Sequence, residues 1–204
     1  MHEPLSWVSR GAREAPGSGI FDVVNYGRDK PGLIPLWAGE GDVPTPRFIV
    51  EAAQRGLADG ETFYTHQRGI PPLREALAAY YERQFARPFD PESFYVTGSG
   101  MQAILICLQL TTGAGEEVLI PTPTWPNVAG AAIVKGATPV EVHMREESGA
   151  WTLEIEDLEA ATTPMTRAIF VNSPANPSGW VASRETLQEI LLFARRHRLW
   201  IIAD

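Results

Sequence analysis

Short apolar segments alternate with helix-like segments along this chain, from residue 93 to the last residue. The candidate strands lie at residues 94–97, 118–120, 138–144, 168–171 and 199–203. The candidate helices between them lie at residues 101–110, 128–134, 154–161 and 185–197. Strands that are apolar on both faces are typical of a parallel sheet covered by helices, and this alternation is the βαβ signal. We therefore predict an α/β fold, a three-layer αβα domain with a mostly parallel sheet. The sheet is expected to be incomplete, because no helix follows the last strand.

The first 45 residues have a different texture. Gly and Pro recur there at close intervals, and the apolar residues show little periodicity. This composition predicts an irregular arm over residues 1–45, with short ordered pieces, ahead of the α/β domain at residues 46–204. At the boundary, Thr45 is expected to cap a helix in which Pro46 takes the first position. A second helix is expected after Pro71 and Pro72, where apolar residues repeat every three to four positions.

Composition excludes several classes of function. The chain has 204 residues, a net charge of −8 and only two lysines, whereas nucleic-acid binders need concentrated positive charge. No apolar run approaches the roughly 20 residues that span a bilayer. The single cysteine, Cys107, rules out an internal disulfide, and the four histidines show no ligand spacing, so no metal site is predicted. We expect a cytoplasmic protein without a nucleic-acid or membrane partner.

A glycine turn joins the first candidate strand to the first candidate helix, in the sequence Thr97-Gly98-Ser99-Gly100-Met101-Gln102-Ala103. Glycines permit a tight turn, and the start of a helix presents unpaired N–H groups to an anion such as phosphate. The pattern also fits the dinucleotide fingerprint, which requires an acid at the end of the next strand. That strand ends in the sequence Pro121-Thr122-Pro123-Thr124-Trp125, so the acid is missing. A phosphate site and a turn without a ligand both remain open on this evidence.

Three further side chains follow strands on the same predicted edge. Trp125 lies in a proline-rich loop, where its ring could stack on a flat ligand or simply pack on the core. Asn176 lies in a loop with two prolines and a glycine, where its amide could reach a ligand or form a local turn. Asp204 ends the last strand and needs a cationic or hydrogen-bonding partner. That partner is either a protonated ring nitrogen or a structural salt bridge.

Together these features resemble the class I and II aminotransferases of the aspartate aminotransferase family, which are pyridoxal 5′-phosphate enzymes of fold type I. The resemblance runs from about residue 33 to residue 204. It rests on the order and spacing of six motifs. These are Gly39-Glu40-Gly41-Asp42-Val43-Pro44-Thr45-Pro46, Tyr64 with Gly69 and Leu73-Arg74, Ser99-Gly100-Met101-Gln102-Ala103, Thr124-Trp125-Pro126-Asn127, Asn176-Pro177-Ser178-Gly179, and Ala203-Asp204.

The resemblance implies a role for eight positions. The backbone amides of Ser99, Gly100 and Met101 would hold the cofactor phosphate, and the Ser99 hydroxyl could add a contact. The other five positions are assigned to the pyridine ring, to the substrate and to the neighbouring subunit. Trp125 would stack on the ring, Asn176 would donate to its phenolic oxygen, Asp204 would pair with its protonated nitrogen, Gly39 would lie near the substrate carboxylate, and Tyr64 would reach the phosphate in the partner of a homodimer.

The resemblance also implies residues that this sequence does not contain. Members of the family carry a Schiff-base lysine well beyond the position of Asp204, and neither Lys30 nor Lys135 matches it. We therefore expect an inactive N-terminal fragment: an arm that forms part of the small domain, followed by the first part of the large cofactor-binding domain. The parent would move an amino group from an amino acid to a 2-oxo acid. The alternatives are a C–S lyase of the same fold and a non-catalytic sensor domain.

Overall fold

A computed structural model describes residues 7–17, 19–37, 39 and 41–204. Within those residues the chain forms eight α-helices, six strands and one 3₁₀ turn at Pro91–Ser93. The helices are α1 (Arg10–Glu14), α2 (Gly19–Gly27), α3 (Arg47–Ala58), α4 (Pro71–Phe85), α5 (Gly100–Thr111), α6 (Asn127–Lys135), α7 (Ile155–Ala161) and α8 (Arg184–His197). The strands are β1 (Glu117–Thr122), β2 (Thr138–His143), β3 (Arg145–Glu147), β4 (Ala150–Thr152), β5 (Thr166–Val171) and β6 (Trp200–Ala203).

The chain divides into two compact units. One unit contains residues 7–17 and 99–204, and the other contains residues 19–98. In the second unit only Gly27, Arg74 and Ala78 are buried among the described residues. The predicted division into an arm at residues 1–45 and an α/β domain at residues 46–204 stays a prediction.

The larger unit is built on a parallel sheet. Four strands lie in the order β2-β1-β5-β6, and each neighbouring pair is parallel. Strands β3 and β4 form a separate antiparallel pair. The predicted α/β class with an incomplete, mostly parallel sheet is confirmed.

Helices cover both faces of this sheet, as the apolar runs at residues 118–120 and 168–171 of its central strands predict. On one face, Val118 and Ile120 of β1 pack with α5 and α6. On the other face, Leu119 of β1 packs with α7 and α8 through Leu158 and Phe193. Neighbouring residues of β1 therefore enter opposite cores, which produces the three predicted layers.

Two local predictions are wrong. Residues 94–97 do not form a strand, although Val96 donates its N–H to the Arg68 carbonyl at 2.9 Å. A strand needs a ladder of such bonds, and this segment joins none of the described sheets.

The helix cap is also displaced, because α3 begins at Arg47 with Pro46, not Thr45, in the cap position. Pro46 has no side-chain oxygen, and α3 starts without a side-chain cap.

Helix length and hydropathy bear on the membrane prediction. Among the helices of the described residues, none is both long and apolar enough to cross a bilayer.

The turn ahead of β1, in which Glu116 is half-buried, predicts an acid-sensitive contribution to stability. The Glu116 carboxylate accepts the Gly113 N–H at 2.5 Å and the Arg167 Nε–H at 2.7 Å. These bonds, that of Gly113 above all, hold the pKa of Glu116 below its ordinary value of 4.5. A lowered pKa stabilises the fold above the unfolded-state value, and the contribution is lost as pH falls through the folded-state value.

We therefore expect Glu116→Gln to flatten the acid limb of stability against pH. Urea unfolding at neutral pH and at several values below 4.5 would measure it. The wild type should lose more free energy of unfolding across this range than the variant does. Glu75→Gln, at an exposed position of α4, is the matched control and should follow the wild type. Equal acid losses in Glu116→Gln and the wild type would contradict the prediction.

Candidate active site at the carboxyl edge of the sheet

The glycine turn places the start of α5 at the site. Ser99 is the N-cap residue, and its hydroxyl accepts the Gln102 N–H at 3.2 Å. The first intrahelical bond runs from the Ala103 N–H to the Ser99 carbonyl at 3.2 Å. The N–H groups of Gly100 and Met101 precede that bond and have no acceptor within the helix. They are the natural donors to an anion at this end of α5.

The loop after β1 brings Trp125 to the same core as Met101. Both side chains are partly buried and pack against the cluster that contains Ile120 and Phe170. Beside Trp125, the Thr124 Oγ1 atom is buried without a hydrogen-bond partner among the described residues. A buried hydroxyl without a partner is costly and is a mark of sites that meet a ligand or a water molecule.

The loop after β5 and the end of β6 meet through Asn172. The Asn172 Nδ2 donates to Asp204 Oδ2 at 2.9 Å, and the Asn172 Oδ1 accepts the Asn176 N–H at 2.6 Å. Asp204 and Asn176 are both exposed, while Asn172 is half-buried. The partner of Asp204 in the described part of the chain is therefore an amide, and no salt bridge to this carboxylate occurs there.

Sequence reasoning did not assign a role to Asn172 or to Thr124. Asn172 could have been noticed, since it directly follows a buried strand at the edge where ligands collect. Thr124 carried no such signal, because its isolation depends on how the loop folds over the core.

The two predicted positions of the smaller unit are exposed. Tyr64 lies in the loop between α3 and α4 with its side chain fully accessible. Gly39 lies outside helices and strands, and a Cβ built on it would meet no atom within 4 Å. Glu40, of the same motif, lies outside the described residues.

The two lysines take part in other interactions, and the described histidines belong to no cluster that could hold a metal ion. Lys135 ends α6, and its Nζ donates to Thr112 Oγ1 at 3.1 Å, just beyond the end of α5 opposite Ser99. The Lys30 Nζ lies 3.1 Å from the centre of the Tyr26 ring. Over the described ranges, no group of three or more His, Cys, Asp or Glu residues is arranged to hold a metal ion.

The family model for aminotransferase class I and II matches residues 31–204. Among curated relatives, the aspartate/prephenate aminotransferase of Thermus thermophilus is 38% identical over 172 residues, which are 84% of this chain and 44% of the relative. The aspartate aminotransferase of Pyrococcus abyssi is 39% identical over 186 residues, which are 91% of this chain and 47% of the relative.

Solved structures agree with this match. N-succinyldiaminopimelate aminotransferase from Mycobacterium tuberculosis superposes with a TM-score of 0.90 at 30% identity, over 97% of this chain and 51% of that one. Aspartate aminotransferase from Thermus thermophilus, solved with maleate, gives a TM-score of 0.88 at 35% identity, over 97% and 52%. The chain thus spans about half the length of the relatives it matches. On the match over residues 31–204, the chain belongs to the class I and II aminotransferase family.

Proposed function

We propose that this chain supplies the cofactor-binding part of a pyridoxal 5′-phosphate-dependent aminotransferase, which moves an amino group from an amino acid to a 2-oxo acid. One observation carries the proposal. The start of α5, the Trp125 indole after β1 and the Asp204 carboxylate after β6 lie at one edge of the parallel sheet, and α5, β1 and β6 share one core. Ligands of such sheets bind beyond the carboxyl ends of the strands.

The described residues fit a phosphorylated pyridine. The N–H groups of Gly100 and Met101 suit the phosphate, because a helix start favours negative charge. The Trp125 ring offers a flat apolar face and packs on the same core as Met101. The Asp204 carboxylate uses Oδ2 for Asn172, and no hydrogen bond to its Oδ1 occurs in the described ranges. Thr124 Oγ1, buried without a partner, is one more polar group ready for a ligand.

When bound, pyridoxal 5′-phosphate supplies an aldehyde that accepts amino groups and a pyridine ring that withdraws electrons. The chain's own residues bind and orient. In this proposal Asp204 keeps a proton on the ring nitrogen by charge pairing, and Asn176 donates to the ring's phenolic oxygen. The amides at the start of α5 fix the phosphate, which sets the position of the ring against Trp125.

The proposed whole enzyme is a cytoplasmic homodimer in which Tyr64 reaches the partner subunit and Gly39 lies near the substrate carboxylate. The large apolar side chains exposed in residues 19–98, including Phe48 and Phe63 at 71% and 86% accessibility, support a further contact surface there. The resemblance also predicts that the 204-residue chain alone does not transaminate.

Binding of 4′-deoxypyridoxine 5′-phosphate to the 204-residue chain tests the proposal. This probe keeps the ring and the phosphate but has no aldehyde, so it cannot react with Lys30 or Lys135. We expect Asp204→Asn to weaken binding about 10- to 100-fold, the scale of one charge-assisted hydrogen bond. Calorimetric titration would measure the dissociation constant.

Asp29→Asn is the matched control, because Asp29 is an exposed aspartate of the smaller unit. It should bind the probe as the wild type does. Equal dissociation constants for Asp204→Asn and Asp29→Asn would overturn the assignment of Asp204.

A further inference from the structure

Asn172 is the one side chain that contacts both Asp204 and the loop of Asn176 through hydrogen bonds in the described residues. Its bonds use opposite ends of one amide. Nδ2 donates to Asp204 Oδ2 at 2.9 Å and to the Asp204 carbonyl at 3.4 Å, and Oδ1 accepts the Asn176 N–H at 2.6 Å. A backbone N–H can only donate, so Oδ1 must face Asn176. The network therefore fixes the amide orientation, and Nδ2 must face the carboxylate.

The sheet register produces this contact. Val171 of β5 pairs with Ala203 of β6, so the next residues, Asn172 and Asp204, leave the sheet side by side. Two backbone bonds extend the pairing past the strand ends. The Asp204 N–H donates to the Val171 carbonyl at 3.0 Å, and the Ser173 N–H donates to the Asp204 carbonyl at 3.2 Å. Residue 172 is thus held against residue 204 by backbone hydrogen bonds, which would also form with other residue types at these positions.

An amide is the side chain that satisfies both neighbours. Aspartate at position 172 could accept the Asn176 N–H but could not donate to Asp204, and it would place a second negative charge beside that carboxylate. Alanine would remove every hydrogen bond of the amide. The two substitutions therefore separate the carboxylate contact from the loop contact.

We propose that Asn172 is a positioning residue for the pyridine ring, an inference that rests on the proposed function. It fixes the Asp204 carboxylate through Oδ2 and leaves Oδ1 for the N–H of a protonated ring. Through Oδ1 of its own amide it holds the backbone of Asn176, so both ring contacts are set by one side chain.

The test compares Asn172→Asp, Asn172→Ala and Asp204→Asn in the 204-residue chain with 4′-deoxypyridoxine 5′-phosphate. Asn25→Asp and Asn25→Ala are matched controls, because Asn25 is an exposed asparagine of α2 in the other unit. Three quantities are measured. They are the dissociation constant, the ¹⁵N chemical shift of the labelled ring nitrogen in the bound probe, and hydrogen exchange at the Asn176 amide.

We expect Asn172→Asp to weaken binding about tenfold or more and to move the ring ¹⁵N shift, while exchange at Asn176 stays at the wild-type rate. Asn172→Ala should weaken binding and also speed exchange at Asn176. A residue that merely filled space would leave the ring ¹⁵N shift unchanged in Asn172→Asp.

The outcomes separate the two proposals. If Asp204→Asn weakens binding while both Asn172 variants match the Asn25 controls, the role of Asn172 is wrong and the proposed function stands. If Asp204→Asn binds the probe as the wild type does, the assignment of Asp204 fails, and the inference on Asn172 fails with it. If the wild-type chain does not bind the probe, the proposed function itself fails.

Discussion

Phe170→Ala should lower the free energy of unfolding by about 3–5 kcal/mol, the usual cost of removing a large aromatic ring from a core. Phe170 is only 1% exposed and lies on β5, between the strands β1 and β6. It belongs to the same cluster as Ile104 of α5 and Val128 of α6. The cavity would therefore open between the sheet and the helix pair that covers this face.

The expected loss is large against a typical domain stability of about 5–15 kcal/mol. Urea unfolding followed by circular dichroism would measure it. Phe63→Ala is the matched control, because the Phe63 ring is 86% exposed and should change stability by less than about 0.5 kcal/mol. A loss below about 1 kcal/mol in Phe170→Ala would show that the core collapses around the missing ring.

Gly69→Ala should destabilise the smaller unit by two separate effects. Gly69 has φ +99°, a backbone conformation that costs a residue with a side chain roughly 1–2 kcal/mol. An added Cβ would also lie 2.5 Å from Val96 Cγ2 and 2.7 Å from Val96 Cβ. Val96 would have to shift, and overpacking of this kind typically costs about 1–3 kcal/mol more.

Gly60→Ala separates these effects. Gly60 has φ +75°, but a Cβ there would meet no atom within 4 Å, so only the backbone cost applies. Hydrogen exchange at the Val96 amide, which donates to the Arg68 carbonyl at 2.9 Å, reports the opening of this region in Gly69→Ala. Thermal unfolding of both variants completes the comparison. Equal losses in Gly69→Ala and Gly60→Ala would contradict a clash with Val96.

The sequence predicted the central sheet because its strands carry an unusually clear signal. Residues 118–120 and 168–171 are apolar runs between turn residues, and the strands that contain them lie at the centre of the sheet. A strand that is buried on both faces leaves little freedom in its sequence. The central position of these two strands is therefore visible in their apolar sequences.

Other elements depended on partners that the sequence does not reveal. The sequence pattern does not predict the β3–β4 hairpin, because its strands have only three residues each. The turn between them has positive φ at Ser148 (54°) and Gly149 (81°), but in the sequence it appears only as a Ser-Gly pair. Residues 94–97 have strand-like composition, but no neighbouring strand pairs with them in the described chain. Strand propensity reports a fit to a pleated surface and cannot supply that surface.

The candidate site likewise contains positions that the sequence predicts and a contact that it does not. Strand ends could be placed on one edge from the pattern alone, so the candidate positions at Trp125 and Asp204 were accessible to sequence reasoning. Their roles toward a cofactor stay predictions. The contact between Asn172 and Asp204 was not accessible, because it requires the residue-by-residue register of β5 against β6.

The path of the chain between its two units has a practical consequence. Residues 7–17 pack with the larger unit, where a Cβ on Gly11 would lie 2.6 Å from the Ile133 carbonyl oxygen, and the chain returns to that unit only at residue 99. Residues 19–98 are thus an insertion with both ends anchored in one body. A single protease cut between residues 98 and 99 would leave α1 packed on α6, so the cleaved halves should still travel together on a sizing column until a denaturant separates them.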